Sequence, residues 1–141
     1  MAGTAASIGL KRLSMQPTKT QLWLGRIISG MFVLFLLADA ISHIVKPAPV
    51  VEAFNQLGLP LSTSTGLGVL VLACVALYLI PRTSHLGVVL LTGYLGGAVA
   101  IHLRAGDPVF RILFPTIIGM ALWLGLFLRD EQLRRFILCK Q

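Results

Sequence analysis

An all-α fold is predicted, a bundle of four transmembrane helices with a short interfacial helix between the first two. Three observations predict it. Four blocks of apolar sequence fill most of a chain of 141 residues. Hydrophobic residues make up 56% of the chain and charged ones 12%, giving a mean hydropathy of +0.86, which no ordinary water-soluble domain reaches. The basic residues also gather on one side of the blocks.

The blocks run from Leu22 to Val45, Leu61 to Ile80, Leu86 to Leu103 and Ile112 to Leu128. Each is close to the ~20 residues that a helix needs to cross the hydrocarbon of a bilayer. The connections are too short to fold alone, so residues 18–135 form one domain held by helix–helix contacts. Residues 1–17 are expected to form a disordered cytoplasmic tail, and 136–141 a short C-terminal one.

Of the 12 basic residues, Lys11, Arg12, Lys19, Arg26, Arg82, Arg129, Arg134, Arg135 and Lys140 share one side, leaving Lys46, Arg104 and Arg111 on the other. Basic loops stay cytoplasmic, so both termini are expected inside. The net charge of +7 then faces anionic headgroups of membrane lipids. Nucleic acid is not an expected partner, since no aromatic interleaving accompanies the charges.

Ala38-Asp39-Ala40 resembles a signal-peptide cleavage triplet. Arg26 interrupts the preceding apolar run and apolar residues continue through Val45, so an uncleaved span is expected. Cys74 lies mid-span and Cys139 in the tail, separated in depth by about 15 Å at 1.5 Å per helical residue, beyond disulfide reach. Without a C-x-x-C pair, thiol-to-quinone electron transfer through cysteines is set aside.

After Lys46-Pro47-Ala48-Pro49, the stretch Val50 to Leu57 places Val50, Val51, Phe54 and Leu57 on one face, which reads as a helix lying in the outer interface. Pro49 suits its first turn and Gly58 its stop, while Ser62-Thr63-Ser64 offers a cap for the second span. Gly93, Gly97 and the adjacent Gly96 in the third span, with Gly25 and Ser29 in the first, are small residues expected to let helices pack closely. Trp23 and Trp123 read as interface anchors, and mid-span Tyr94 requires a hydrogen-bond partner.

Six segments carry a family resemblance. They are Gly25-Arg26-Ile27-Ile28-Ser29-Gly30, Asp39-Ala40-Ile41-Ser42-His43 leading to Lys46-Pro47, Gly58-Leu59-Pro60, Tyr78-Leu79-Ile80-Pro81-Arg82-Thr83, Thr92-Gly93-Tyr94-Leu95-Gly96-Gly97-Ala98 and His102-Leu103-Arg104-Ala105-Gly106-Asp107-Pro108. In order and spacing they resemble the DoxX-like family of small four-helix membrane proteins, over about Leu22 to Arg135. The resemblance implies a bundle in a bacterial inner membrane and kinship with subunits that accompany oxidoreductases, such as the membrane component of thiosulfate:quinone oxidoreductases. It implies no settled activity.

From the residues themselves, Asp39 and His43 are spaced i,i+4 and project from one face near the outer end of the first helix. An ionised Asp costs about 2.5 to 3.5 kcal/mol at a helix centre and less nearer the end, so Asp39 needs a partner, and Arg104 is expected to be it. His102, Arg104, Asp107 and Arg111 reach the same level. Helical phase separates His102 from Arg104 by about 200°, which sets them on different faces unless the third helix ends near Leu103.

Two readings of this cluster stay open. In one it binds the head of a lipid-soluble molecule such as a quinone, with Phe54 pointing in from a lid; in the other it is an ionic staple between helices. Haem between His43 and His102 is not expected, because only Ala98 opens space near His102. No metal-ligand spacing, nucleophile–base set or phosphate loop is present in the sequence. The function classes left are an accessory membrane subunit of an oxidoreductase, with or without its own quinone, a non-catalytic helper, and more weakly a small-solute transporter working as a homo-oligomer.

Overall fold

The structure, a computed structural model, describes residues 18–138; the expected tail at 1–17 and Cys139 lie outside them. Helices α1 (Lys19–Val45), α2 (Ala48–Gln56), α3 (Ser62–Leu79), α4 (Ser84–Ala105), α5 (Val109–Arg129) and α6 (Glu131–Leu138) account for nearly all of that stretch. Four of them, α1, α3, α4 and α5, are long and apolar enough to cross a membrane. They alternate in direction, which defines a terminal end, carrying Lys19, Arg129 and α6, and a distal end, carrying α2 and the α4–α5 connection.

Local sequence explains the boundaries. Thr18 Oγ1 accepts from the Gln21 backbone N–H at 3.3 Å while Gln21 Oε1 accepts from the Thr18 N–H at 3.1 Å, a reciprocal cap on α1. Lys46 turns the chain out of α1 at φ 54. Pro47 caps α2, with Pro49 in its first turn. Gly58 stops α2 at φ 66, where its N–H reaches Asn55 O at 3.1 Å and the Leu59 N–H reaches Phe54 O at 2.9 Å. Only a residue without Cβ takes that left-handed turn cheaply. The expected side-chain cap on α3 is absent: Leu61 holds the cap position and Ser64 turns its hydroxyl to α1 instead.

Around the bundle α1 packs on α3, α3 on α4, α4 on α5, and α5 back on α1, closing a four-helix ring. Its faces toward lipid are apolar: Trp23, Ile27, Met31, Leu34, Ile41 and Val45 make one exposed stripe along α1. Water would disfavour so large an apolar surface, whereas hydrocarbon accepts it. Without a hydrophobic drive between spans, close backbone approach carries the association. A Cβ on Gly25 would press on Gly125 O, one on Gly68 on Ala40 O, and one on Gly87 on the Tyr78 backbone. These contacts tie α1 to α5 and α3 to α4 at the terminal end, and α1 to α3 at the distal one.

Tyr78 pins the terminal half. Its hydroxyl donates to Leu122 O at 3.0 Å, so Ser29 Oγ, 2.9 Å away, must donate to Tyr78 in turn. Arg129 donates to Tyr78 O at 3.0 Å and lies 4.5 Å above its ring. Just beyond, Asp130 Oδ1 caps α6 by accepting the Gln132 and Leu133 N–H groups at 2.8 and 3.0 Å, and its other oxygen lies 3.3 Å from His85 Nε2. This amphipathic α6, unanticipated in the sequence reading, lays Leu133 against the core and Arg134 over the Phe127 ring.

Candidate functional site

In the distal half the helices surround a partly open cavity of about 600 Å³. Its walls are mostly apolar, from Leu36 on α1, Leu67 on α3, Ile101 on α4 and Ile118 on α5, and α2 roofs it with Phe54. Phe54 is 3% exposed and meets the His43 ring edge-on with centroids 5.5 Å apart. Polar groups enter from two walls: Asp39, Ser42 and His43 from α1, and Tyr94 and His102 from α4.

On the α1 wall, Asp39 Oδ2 accepts from Tyr94 Oη at 3.0 Å. Ser42 is committed to the Asp39 carbonyl at 2.7 Å. Ser64 donates its one proton to His43 O at 2.7 Å, so at the 3.4 Å contact between Ser64 Oγ and His43 Nδ1 the ring nitrogen is the donor. Nε2 of His43 then faces Asp39 Oδ2 at 3.8 Å, too long for a hydrogen bond, and carries a proton only when the ring is cationic.

The α4 wall repeats the logic. His102 Nδ1 donates to Asp107 Oδ2 at 2.7 Å, and Arg111 donates to Asp107 Oδ1 at 3.3 Å. The hydrogen bond from His102, aided by the charges of His102 and Arg111, holds the Asp107 carboxyl below its ordinary range against a smaller opposing effect of burial. A carboxylate on Nδ1 fixes the ring and leaves Nε2 to meet whatever occupies the cavity. Among the described residues no group of three or more His, Cys, Asp and Glu comes together as a metal site.

The sequence profile of the DoxX-like family matches residues 27–125, well over half of the chain. The chain belongs to the DoxX-like family. No curated protein and no solved structure matches it. Every polar cavity residue of this DoxX-like protein, from Asp39 to His102, falls inside the matched stretch.

Two expectations about the site need correction. Arg104 is not the partner of Asp39: α4 continues to Ala105, which turns Arg104 away, and its guanidinium donates to Leu57 O at 3.2 Å, bracing the end of α2. The polar cluster is therefore two groups, Asp39 with His43, and His102 with Asp107 and Arg111. The small residues of α4 are also placed differently from the packing role expected of them. A Cβ at Gly93, Gly96 or Gly97 would meet nothing within 4 Å, because Gly93 and Gly97 border the cavity and Gly96 a second hollow between α4 and α5. Gly68, Gly87 and Gly125 hold the close contacts instead, alongside Gly25 and Ser29.

Tyr94 and Ser64 are site residues that the sequence reading left out of the cluster. Tyr94 carried a signal, since a mid-span phenol in lipid must find an acceptor. Ser64 carried none, because its place after Pro60 fits a cap equally well.

Proposed function

We propose that this DoxX-like protein is an accessory membrane subunit of an oxidoreductase system that holds a quinone-type ligand in the distal cavity. One observation carries the reading: two histidines on different walls of an apolar cavity each have Nδ1 committed to an acceptor and Nε2 left over. Such a nitrogen accepts when neutral and donates when cationic. That suits a ring whose oxygens alternate between carbonyl and hydroxyl, and the apolar walls suit its lipophilic body. The side chains carry no electron themselves, so electron transfer belongs to the ligand and a partner protein.

Membership of the DoxX-like family supports a bacterial inner membrane location, and the nine-to-three distribution of basic residues supports cytoplasmic termini, with the cavity then in the outer leaflet. A cysteine introduced at Glu52 should be labelled by impermeant reagent only from outside; labelling only from the cytoplasm reverses the orientation.

Decylubiquinone should raise the melting temperature of the purified protein by mass action, and Asp39→Asn or His102→Ala should abolish the shift while leaving the bundle folded. A second reading, the structural staple, is favoured by the Tyr94–Asp39 bond between non-neighbouring helices. It requires wild type and both variants to respond alike.

A further inference from the structure

We infer that the cavity opens sideways into the membrane between α3 and α4, through a window edged by Gly93 and Gly97 on α4 and Leu67 and Leu70 on α3. Through this window passes the tail of a ring ligand whose head lies against Asp39 and His102. The inference rests on the cavity being a ligand site, as proposed above.

A residue that lines the cavity and is also exposed marks where the cavity reaches the outside. Gly93, Gly97 and Leu70 do both, Leu70 with 48% of its surface open, as do Phe35 and Phe114 between α1 and α5 and Pro49 and Ala53 on α2. Only the first set consists of small or splayed residues with no ring across the gap. Helical phase assigns that first set to one gap. Measured from core-facing Leu91 at about 100° per residue, Gly87 and Tyr94 turn roughly 40° and 60° toward α3, and Gly97 and Gly93 continue the same way to roughly 120° and 160°. On α3, Leu70 turns about 100° from core-facing Val71, to the side opposite Gly68, which touches α1.

Packing explains why the gap exists. Gly87 presses α4 against the Tyr78 backbone at the terminal end, whereas Gly68 draws α3 toward α1 in the distal half. The two helices therefore diverge toward the distal end. The matching gap between α1 and α5 is narrowed by Phe35 and Phe114, which line the cavity, stay partly exposed and meet edge-to-face across it with centroids 5.5 Å apart. Above, α2 is held in place by the Arg104 bond to Leu57 O and by buried Phe54. No Cβ meets an obstacle at Gly93 or Gly97, so side chains added there narrow the window without straining the helix.

The test titrates decylubiquinone and its tail-less parent benzoquinone into the purified full chain and reads affinity from thermal shifts. Gly97→Leu should weaken decylubiquinone by about tenfold and spare the parent ring. Gly96→Leu, one residue around the helix on the α5 side, should leave both probes unchanged. Leu70→Trp narrows the same window from α3 and should reproduce the split, which guards against a folding defect particular to Gly97→Leu. Equal affinity for decylubiquinone in wild type, Gly97→Leu and Leu70→Trp overturns the window and leaves the cavity reading standing. Failure of wild type to bind either probe overturns both.

Discussion

Tyr94 Oη donates to Asp39 Oδ2 at 3.0 Å, joining α4 to α1, two helices that are not neighbours in the ring. The bond crosses the cavity region and gives an intramembrane carboxylate the partner it requires. It also ties the site to the stability of the bundle. Tyr94→Phe should therefore cost stability in the wild-type background and little in an Asp39→Leu background, with a coupling of about 0.6 to 1.7 kcal/mol from a double-mutant cycle in detergent. Arg104→Gln should cost the same in both backgrounds, because Arg104 bonds Leu57 and not Asp39. Coupling of Asp39 to Arg104 but not to Tyr94 would reverse the assignment.

Asp107 should make the distal end acid-sensitive. Its folded carboxyl titrates below the ordinary 3.8, chiefly through the His102 hydrogen bond. A depressed carboxylate adds stability that is complete above its ordinary value and is lost as pH falls through the lowered one. The melting temperature of wild type should thus drop more steeply below about pH 4 than that of Asp107→Asn. Parallel acid profiles would show that the His102–Asp107–Arg111 group contributes nothing to folding.

Glycines in this bundle should divide into two classes by thermal denaturation. Gly87→Ala and Gly68→Ala drive a methyl into neighbouring backbone and should cost about 1 to 3 kcal/mol. Gly93→Ala and Gly97→Ala meet open space and should be neutral or stabilising by up to about 1 kcal/mol, the ordinary helix preference of Ala over Gly. Destabilisation at Gly97 equal to that at Gly87 would mean that α3 and α4 are in contact throughout.

The four spans were legible in the sequence because a bilayer imposes length and hydropathy directly, and α2 because Pro49 and Gly58 bracket an amphipathic run. α6 was not, since eight residues from Glu131 to Leu138 give too short a period to separate from a tail. Asp39, His43 and His102 could be placed at one depth from helical rise alone. Their partners could not, because helices apolar on every side leave rotation about the axis undetermined by pattern. That freedom is why sequence alone points Asp39 at Arg104, and why the glycines of α4 read as packing when the tight approaches lie at Gly68, Gly87 and Gly125.

Photoaffinity labelling tests the central claim most directly. A diazirine-bearing quinone irradiated with the purified protein, with peptides mapped by mass spectrometry, reports where the ring sits. Adducts should fall on the Asp39–His43 stretch of α1 and the Gly93–His102 stretch of α4, and excess decylubiquinone should suppress them. Adducts confined to lipid-facing residues such as Met31, Leu34 and Phe110, unaffected by competitor, would contradict a ligand in the cavity.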